Sequence, residues 1–465
     1  GAINDLSDAT TDETNSIMLG TATHGSISGA AQNVSVGIGA MDAITSAEYT
    51  VAIGYNAATA LTSGSYNTAV GGNALITATD GHSNTAIGMS ALKFTTSGDY
   101  NTAVGRTALQ ANTTADNNTA VGYAALLANT TGAGNTSVGK SSMASTTTGA
   151  NNSALGKDSL GSNTTGASNV AVGDGALYAN TTASNNVAVG KDALVANTTG
   201  DQNVGIGVNT LLDNTTGRNN IAIGHGALEN NTTANQNIAI GPAALDANTT
   251  GATNIGIGYG ALSGNTTASN NVAVGDMAMV ANTTGVSNVA VGALALDANT
   301  TGGANTAVGK DAMTSNTTAS YNTAMGYDAL GANTTGSSNV AIGYEALEEN
   351  TDASNNVAVG SAALAANTTG EQNVAVGALA LDANTTAGQN VAVGYDALGA
   401  NTTANYNTAV GREALKTNTT GSYNTAVGRT AGMAITTGAH NVAVGANALD
   451  AGTTAEESVA IGFGA

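Results

Sequence analysis

Four histidines, His24, His82, His225 and His440, carry the side chains best suited to acid–base or metal chemistry near neutral pH. Catalysis requires such groups to converge within hydrogen-bonding reach of one another. These four are instead scattered along 465 residues, with no nucleophile–base pair among them. The chain contains no Cys, so it has no thiol nucleophile, disulfide or Cys-based metal site. The sequence therefore predicts no enzyme, no bound metal and no cofactor.

The residues that do recur with regular spacing belong to a 17-residue repeat. It begins at Ser16 and continues without insertion through 26 complete units, since 26 × 17 residues span 16–457, followed by a partial unit at 458–465. Residues 390–406, NVAVGYDALGANTTANY, are a typical unit, which we call a coil and whose positions we number 1–17. We predict an N-terminal linker at 1–15 and one repeat domain at 16–465.

Each coil has the pattern of one short strand followed by tight turns. Positions 2 and 4 are largely β-branched and share a face because side chains alternate along a strand, while position 5 is Gly in all 27 units. Asn-Thr-Thr usually fills positions 12–14 and is a turn composition. One short strand cannot stand alone, whereas stacked coils pair every backbone group. We therefore predict an all-β parallel β-solenoid, with Val391 and Val393 pointing inward and Asn390 and Asn401 in Asn ladders.

Position 3 lies on the opposite face of the strand and is restricted to small residues. It is Ala, Ser or Gly in 26 of the 27 units. A face in water would vary, so the restriction indicates close approach by the far wall of the coil or by another chain. Because a core of Val, Val and Leu is thin, we interpret the small residues as lateral contacts between several solenoids. The predicted inter-chain packing residues are Ala52, Ala103, Ala188, Ala290 and Ala392.

The segment Ser458-Val459-Ala460-Ile461-Gly462 resembles the S-V-A-I-G motif in the head repeats of YadA-like trimeric autotransporter adhesins. The likeness covers 16–465, although those heads use a shorter coil. The longer phrase N-T-A-V-G-x-x-A-L-x-x-N-T-T-G looks like stalk repeats of phage and bacterial tail-fibre proteins. The resemblance implies a left-handed β-roll that forms a homotrimer and serves as a fibre shaft or adhesin stalk in host or surface attachment. It also implies an extracellular location, on a virion tail fibre or a cell surface.

The most variable position follows the invariant Gly. Position 6 holds seven of the ten basic residues and six of the thirteen Tyr, and position 17 holds six more Tyr. Side chains of such mixed type favour a solvated rib on the surface. Because aromatic faces also pack against sugar rings, the rib is a candidate surface for binding a host glycan or protein. The residues assigned to it are Tyr55, Tyr123, Tyr259, Tyr327, Tyr344, Tyr395, Tyr406 and Tyr423.

Charge and hydropathy limit the other partners. A chain of net charge −21 has no general attraction for nucleic acid or an anionic membrane, and no apolar run reaches the ~18–20 residues of a membrane span. We expect neither nucleic-acid binding nor membrane insertion. Two alternatives to a fibre shaft stay open: a filament subunit that assembles end to end, and a glycan- or ice-binding solenoid. The Asn-Thr-Thr triplets have the form of glycosylation sequons, but we interpret them as turns that carry an Asn ladder.

Overall fold

The computed structural model describes residues 9–11, 16–20 and 29–465, and these residues form strands and turns but no helix. The strands are three residues long, and those that follow the linker recur every 17 residues as a parallel β-solenoid. This confirms the predicted fold class, while left-handedness and the trimer stay predictions. The chain divides into two compact units, Gly1–Asn235 and Gln236–Ala465.

The strands of the first unit are β1 Ala9–Thr11, β2 Ile17–Leu19, β3 Val34–Val36, β4 Val51–Ile53, β5 Thr68–Val70, β6 Thr85–Ile87, β7 Thr102–Val104, β8 Thr119–Val121, β9 Thr136–Val138, β10 Ser153–Leu155, β11 Val170–Val172, β12 Val187–Val189, β13 Val204–Ile206 and β14 Ile221–Ile223. Strand β1 lies in the predicted linker and pairs antiparallel with β2. From β2 to β14, neighbouring strands pair in parallel with residues 17 apart opposite each other. The remainder of the linker, 1–8 and 12–15, lies outside the described residues.

The strands of the second unit are β15 Ile238–Ile240, β16 Ile255–Ile257, β17 Val272–Val274, β18 Val289–Val291, β19 Thr306–Val308, β20 Thr323–Met325, β21 Val340–Ile342, β22 Val357–Val359, β23 Val374–Val376, β24 Val391–Val393, β25 Thr408–Val410, β26 Thr425–Val427, β27 Val442–Val444 and β28 Val459–Ile461. All neighbouring pairs from β15 to β28 are parallel with the same register of 17 residues. Identical positions therefore stack directly on one another within the unit.

A Gly follows each solenoid strand because no side chain fits at that corner. Gly394 has a φ of 140°, and a Cβ added to it would lie 2.5 Å from the carbonyl oxygen of Gly411 in the next coil. A side chain there would be strained by the backbone conformation and would also collide with backbone atoms. The positive φ recurs at position 5 of every coil, which explains why this position is Gly in all 27 units.

The interior of a coil is filled from positions 1, 3, 8, 9, 12 and 15. In the coil that begins at Asn390, both Ala392 at position 3 and Leu398 at position 9 are fully buried. These two positions face each other across the interior, since a Cβ built on Gly205 at position 3 would lie 3.4 Å from Cδ1 of Leu194 at position 9. The coil is therefore so thin that an Ala on one wall reaches a Leu on the other.

This packing corrects two assignments made from the sequence. Val391 and Val393, predicted to point inward, are half-buried on the outer face of their strand, whereas Ala392 between them is fully buried. The five alanines assigned to inter-chain packing are also fully buried within their own chain, so their side chains cannot contact another one: Ala52, Ala103, Ala188, Ala290 and Ala392. Their small size is explained by the Leu on the far wall of the coil, because a larger side chain would collide with it.

Two Asn ladders follow the interior, as predicted. At position 1, the backbone N–H of Asn390 donates to Oδ1 of Asn373 in the preceding coil (3.0 Å), and Nδ2 of Asn390 donates to the carbonyl of Ala404 (2.9 Å). At position 12, Nδ2 of Asn401 donates to Oδ1 of Asn384 (3.0 Å) and to the same Ala404 carbonyl (3.1 Å). The Asn of these Asn-Thr-Thr triplets is fully buried, so in the folded coil it is no glycosylation acceptor.

The position-12 ladder stops where another residue replaces Asn. Ile435 follows Asn418 in this column, and Oδ1 of Asn418 has no hydrogen-bond partner among the described residues. Thr146 follows Asn129, whose Oδ1 is likewise unpaired in that part of the chain. Each Asn of this ladder therefore depends on the next coil to satisfy its side-chain oxygen.

Candidate interaction surface

The outward side chains of positions 2 and 4 form a mostly apolar surface along each unit, which we call the strand-face stripe; position 2 is Thr or Ser in ten of the 27 coils. Its 54 positions (2 × 27 coils) hold no charged residue, although the chain contains 31 Asp and Glu and 10 Lys and Arg. Exposed fractions reach 40% at Ile87, 37% at Val291 and 43% at Met325. All-parallel sheets are normally covered on both faces, so an open apolar face of this length is unusual for such a sheet.

Two columns of variable residues border the stripe, one at position 17 and one at position 6. Along the chain the outward positions run 17, 2, 4 and 6, so these two columns lie on either side of positions 2 and 4. The strand Thr408–Val410, for example, is preceded by Tyr406 at position 17 and followed by Arg412 at position 6. Twelve of the thirteen Tyr lie in these two columns. An apolar centre bordered by aromatic and charged side chains is the composition of many protein–protein interfaces.

The eight tyrosines assigned to surface recognition are all exposed, by 44–60%: Tyr55, Tyr123, Tyr259, Tyr327, Tyr344, Tyr395, Tyr406 and Tyr423. Stacking limits what several of them can offer a ligand. The rings of Tyr327 and Tyr344 stack at 5.7 Å, those of Tyr406 and Tyr423 at 4.7 Å, and Tyr423 also stacks on His440 at 5.0 Å. Ring faces that meet within these stacks are closed to a sugar ring, so the stacks present mainly edges and hydroxyls. A recognition role for the tyrosines stays a prediction.

Several bases of position 6 are paired with the acid that follows them. Nζ of Lys157 lies 2.7 Å from Asp158, and Nζ of Lys310 lies 3.0 Å from Asp311. The hydrogen bond and charge of each carboxylate raise the pKa of Lys157 and of Lys310 above the ordinary value of 10.5, so both ammonium groups stay charged at neutral pH. The two lysine side chains are well exposed, and such pairs contribute little to stability.

Carboxylates cluster beyond the position-6 column. Burial raises the pKa of Asp382 and the charge of Asp396 raises it further, while Nζ of Lys416 lies 2.7 Å from Asp396. Burial and neighbouring carboxylates also raise the pKa of Asp328. In the part of the chain that the structure describes, no three His, Asp or Glu side chains are placed to hold one metal ion. Of the described histidines, His82, His225 and His440, no two lie in adjacent coils, and His24 lies outside the described residues.

Positions 13 and 14 form a second outward surface, made of Thr. Oγ1 of Thr300 at position 13 donates to the carbonyl of Thr317 one coil away (3.0 Å), whereas Thr301 at position 14 is exposed. Position 13 is Thr in 25 of the 26 complete units. This hydroxyl ladder was not predicted, although the near-invariance of Thr at position 13 was the signal for it.

A fourth ladder, at position 16, was also missed. Here a polar side chain accepts a hydrogen bond from the backbone N–H of position 16 in the preceding coil. Oδ1 of Asn405, for example, accepts from the N–H of Gly388 (2.7 Å). Nδ1 of His82 accepts from the N–H of Ser65 in the same way (3.1 Å). One of the histidines considered for chemistry thus serves as a hydrogen-bond acceptor within the fold.

Comparison of the chain with protein-family models gave no match, and comparison with curated proteins gave none either. The likeness to adhesin heads and tail-fibre stalks is therefore carried by the repeat residues alone. Among the described residues there is no helix of the length and apolar character needed to cross a membrane.

Proposed function

We propose that this protein is a structural, non-enzymatic shaft of an extracellular fibre, whose copies associate laterally through the strand-face stripe into a homotrimer. The observation that carries the proposal is an exposed apolar stripe without one charged residue in 27 coils of a strongly acidic chain. The copy number of three, and a setting in a phage tail fibre or bacterial adhesin that attaches to a host or surface, follow from the resemblance of the repeats.

The area of the stripe fits such an interface. Fully burying a Val or Ile side chain contributes ~1.5–3 kcal/mol. At ~25 cal/mol per Å², this corresponds to about 60–120 Å² of surface removed from water. With up to about 40% of most of these side chains exposed and two per coil, one unit offers at most roughly 1,000 Å². Stable interfaces bury about 800 Å² per partner, and exposed apolar patches on monomers seldom exceed about 600 Å². The stripe of either unit is therefore large enough for a stable contact.

The interior of the coil supports the same role. Hydrogen bonds of the Asn, Thr and position-16 ladders are made between neighbouring coils of one chain. Each added repeat therefore contributes its own internal contacts, as in other solenoids. The stripe takes no part in these ladders and stays available for contact with another copy.

The test is the molar mass of the full-length protein in solution, measured by light scattering over a range of concentrations. The parent chain of 44.8 kDa is expected to give three times that mass. Val291→Lys places a charge in the stripe and should shift the mass toward the monomer, because the charge would be desolvated at the contact. Ala293→Lys, two residues away in the position-6 column, is the matched control and should leave the mass unchanged.

A parent protein that stays monomeric at every concentration would disprove lateral association. A Val291→Lys variant that keeps the parent mass would remove the stripe as the contact. Circular dichroism of both variants should match the parent, since position 4 faces outward, and this comparison separates lost association from lost folding.

A further inference from the structure

Arginine and tyrosine are matched across the strand-face stripe. The position-6 column contains three Arg, and in each case the position-17 residue before the same strand is Tyr. The three pairs are Arg106 with Tyr100, Arg412 with Tyr406, and Arg429 with Tyr423. Only six of the 26 complete coils have Tyr at position 17, so this agreement is not a general feature of the column.

Lysine in the same column shows no such match. The residues at position 17 before Lys140, Lys157, Lys191 and Lys310 are Gly134, Asn151, Asn185 and Ala304. Arg differs from Lys in having a planar guanidinium group with five donors, which stacks on aromatic rings and binds oxygen acceptors in a fixed geometry. The match therefore indicates a partner that requires Arg specifically, because charge alone is equally available from Lys.

Contacts within one chain do not explain the match. Six residues separate the members of each pair, which is roughly 20 Å along an extended strand, with the stripe between them. The contacts that the described residues show between an Arg and an aromatic ring lie within the position-6 column, from Arg106 to Tyr123 at 6.0 Å and from Arg412 to Tyr395 at 5.8 Å. Among the described residues, no contact joins Arg106 to Tyr100 or Arg412 to Tyr406.

A rotationally symmetric assembly does explain it. When copies are related by an axis parallel to the stacking direction of the coils, the position-6 side of one copy lies beside the position-17 side of the next at the same level. Each Arg then meets the Tyr of a neighbouring copy. A stagger of one coil would instead place Arg106 beside Ser83 or Asn117, and an antiparallel arrangement would reverse the order of the levels.

The stripe itself cannot prevent such a stagger. Its positions repeat every coil, so sliding one copy by one coil again brings apolar residues opposite apolar residues, and register is weakly specified where a surface repeats. Non-repeating residues at the borders must supply the discrimination, as charged flanking positions do in other repetitive assemblies. The variable residues at positions 6 and 17 would supply this discrimination between registers.

We propose that Arg106, Arg412 and Arg429 bind Tyr100, Tyr406 and Tyr423 of a second copy of this chain, and that these pairs hold the copies parallel and without axial stagger. The proposal rests on the lateral association proposed above. Tyr100 is 63% exposed and can offer its ring face. Tyr406 and Tyr423 stack on each other, so their phenolic oxygens are the accessible acceptors for the guanidinium donors.

The test uses disulfide cross-linking of the full-length chain, which has no Cys of its own. His440→Cys with Ala446→Cys places thiols on the two borders of one strand, Val442–Val444, and leaves all three pairs intact. His440→Cys with Ala378→Cys is the control, with the second thiol four coils away, about 19 Å along the stack. Thiols within one chain are too far apart to bond in either variant, because Cα atoms must lie within about 7 Å.

Oxidation should join copies of the first variant at least tenfold more efficiently than copies of the control. Arg106→Lys, Arg412→Lys and Arg429→Lys combined should reduce that preference severalfold while light scattering still reports an oligomer. Lys140→Arg, Lys191→Arg and Lys310→Arg combined are the matched control and should leave the preference unchanged.

The outcomes separate the two proposals. Equal cross-linking in both cysteine variants, or a preference that survives the triple Arg→Lys change, would overturn the register proposal while the measured mass upholds association. A monomeric parent would overturn both.

Discussion

The strand-face stripe and the Thr column of position 13 are both outward surfaces with a restricted choice of residues, but for different reasons. At position 13, Oγ1 of Thr300 donates to the carbonyl of Thr317, so the chain itself explains why Thr recurs. Val291 at position 4 is 37% exposed, and no hydrogen-bond ladder within the chain accounts for the absence of charged residues at this position. A restriction with an internal cause is explained by folding, whereas a restriction without one supports the proposed contact with a second copy.

The largest effect is expected where the internal cause is strongest, at the corner Gly. A Cβ added at Gly71 would lie 2.7 Å from the carbonyl carbon and oxygen of Gly88, with the backbone held at a φ of 132°. Gly71→Ala should therefore cost about 3 kcal/mol or more in the free energy of unfolding. Gly72, its neighbour at position 6, has no atom within 4 Å of an added Cβ, so Gly72→Ala should change stability by less than about 0.5 kcal/mol.

Urea unfolding followed by circular dichroism measures both variants. A loss of similar size for Gly71→Ala and Gly72→Ala would show that the next coil does not constrain position 5.

The second largest effect is expected in the position-12 ladder. Nδ2 of Asn299 donates to Oδ1 of Asn282 (2.8 Å), and Oδ1 of Asn299 accepts from Nδ2 of Asn316 (3.0 Å). Asn299→Ala would leave Oδ1 of Asn282 without a partner and would remove one of the two hydrogen bonds of Asn316 Nδ2, which still donates to Ala319, so it should cost about 2–4 kcal/mol. Asn418→Ala is the matched control and should cost about 1 kcal/mol less, because the oxygen of Asn418 is already unpaired beside Ile435. Thermal unfolding compares the two, and equal losses would argue against a ladder in which each coil satisfies the next.

Much of the fold could be predicted because its rules are local to one coil. The period, the short strand, the corner Gly and both Asn ladders follow from residue types at fixed positions. The direction of the strand faces could not be read in the same way, since alternation separates two faces without saying which is inner, and hydrophobicity favours Val391 over Ala392 for the interior. The predicted ladder contained the missing information, because a buried Asn390 places Ala392 on the same inner side and Val391 outside.

The interaction surface was predictable in part. Exposure of the tyrosines follows from the variability of positions 6 and 17, and all eight assigned tyrosines are exposed. Stacking of Tyr406 on Tyr423 depends on side-chain rotamers in adjacent coils and is not encoded in residue type alone. The spacing of six residues between Arg412 and Tyr406 can be read from the sequence. It suggests an inter-chain pair only once positions 17, 2, 4 and 6 are known to lie on the same outer side of the coil.

A smaller effect is expected at the hydroxyl ladder, where the turn side can be tested directly. Thr300→Val removes the hydrogen bond to the carbonyl of Thr317 and nearly preserves the shape of the side chain, so it should cost about 1 kcal/mol. Thr301→Val, one residue later on the exposed side of the turn, should cost less than about 0.5 kcal/mol. Urea midpoints of the two variants measure the difference. If Thr301→Val proved the costlier change, the exposed Thr column would have a contact that the hydrogen bonds of the turn do not include.

The smallest effect is expected from Asp382 and depends on pH. Burial and the charge of Asp396 raise the pKa of Asp382 in the folded chain above its ordinary value of 3.8. Between pH 3.8 and this raised pKa, the folded state therefore binds more protons than the unfolded state. Stability from this group therefore increases as pH falls through the raised pKa, and the gain is complete below 3.8. Asp382→Asn should raise the melting temperature slightly at pH 7 and lose that advantage at pH 3.5. Asp276→Asn, exposed at position 6, controls for removing one negative charge from a chain of net charge −21. An equal gain from both variants at pH 7 would attribute the effect to net charge, and a gain from Asp382→Asn that persists at pH 3.5 would show that the carboxyl is not the group responsible.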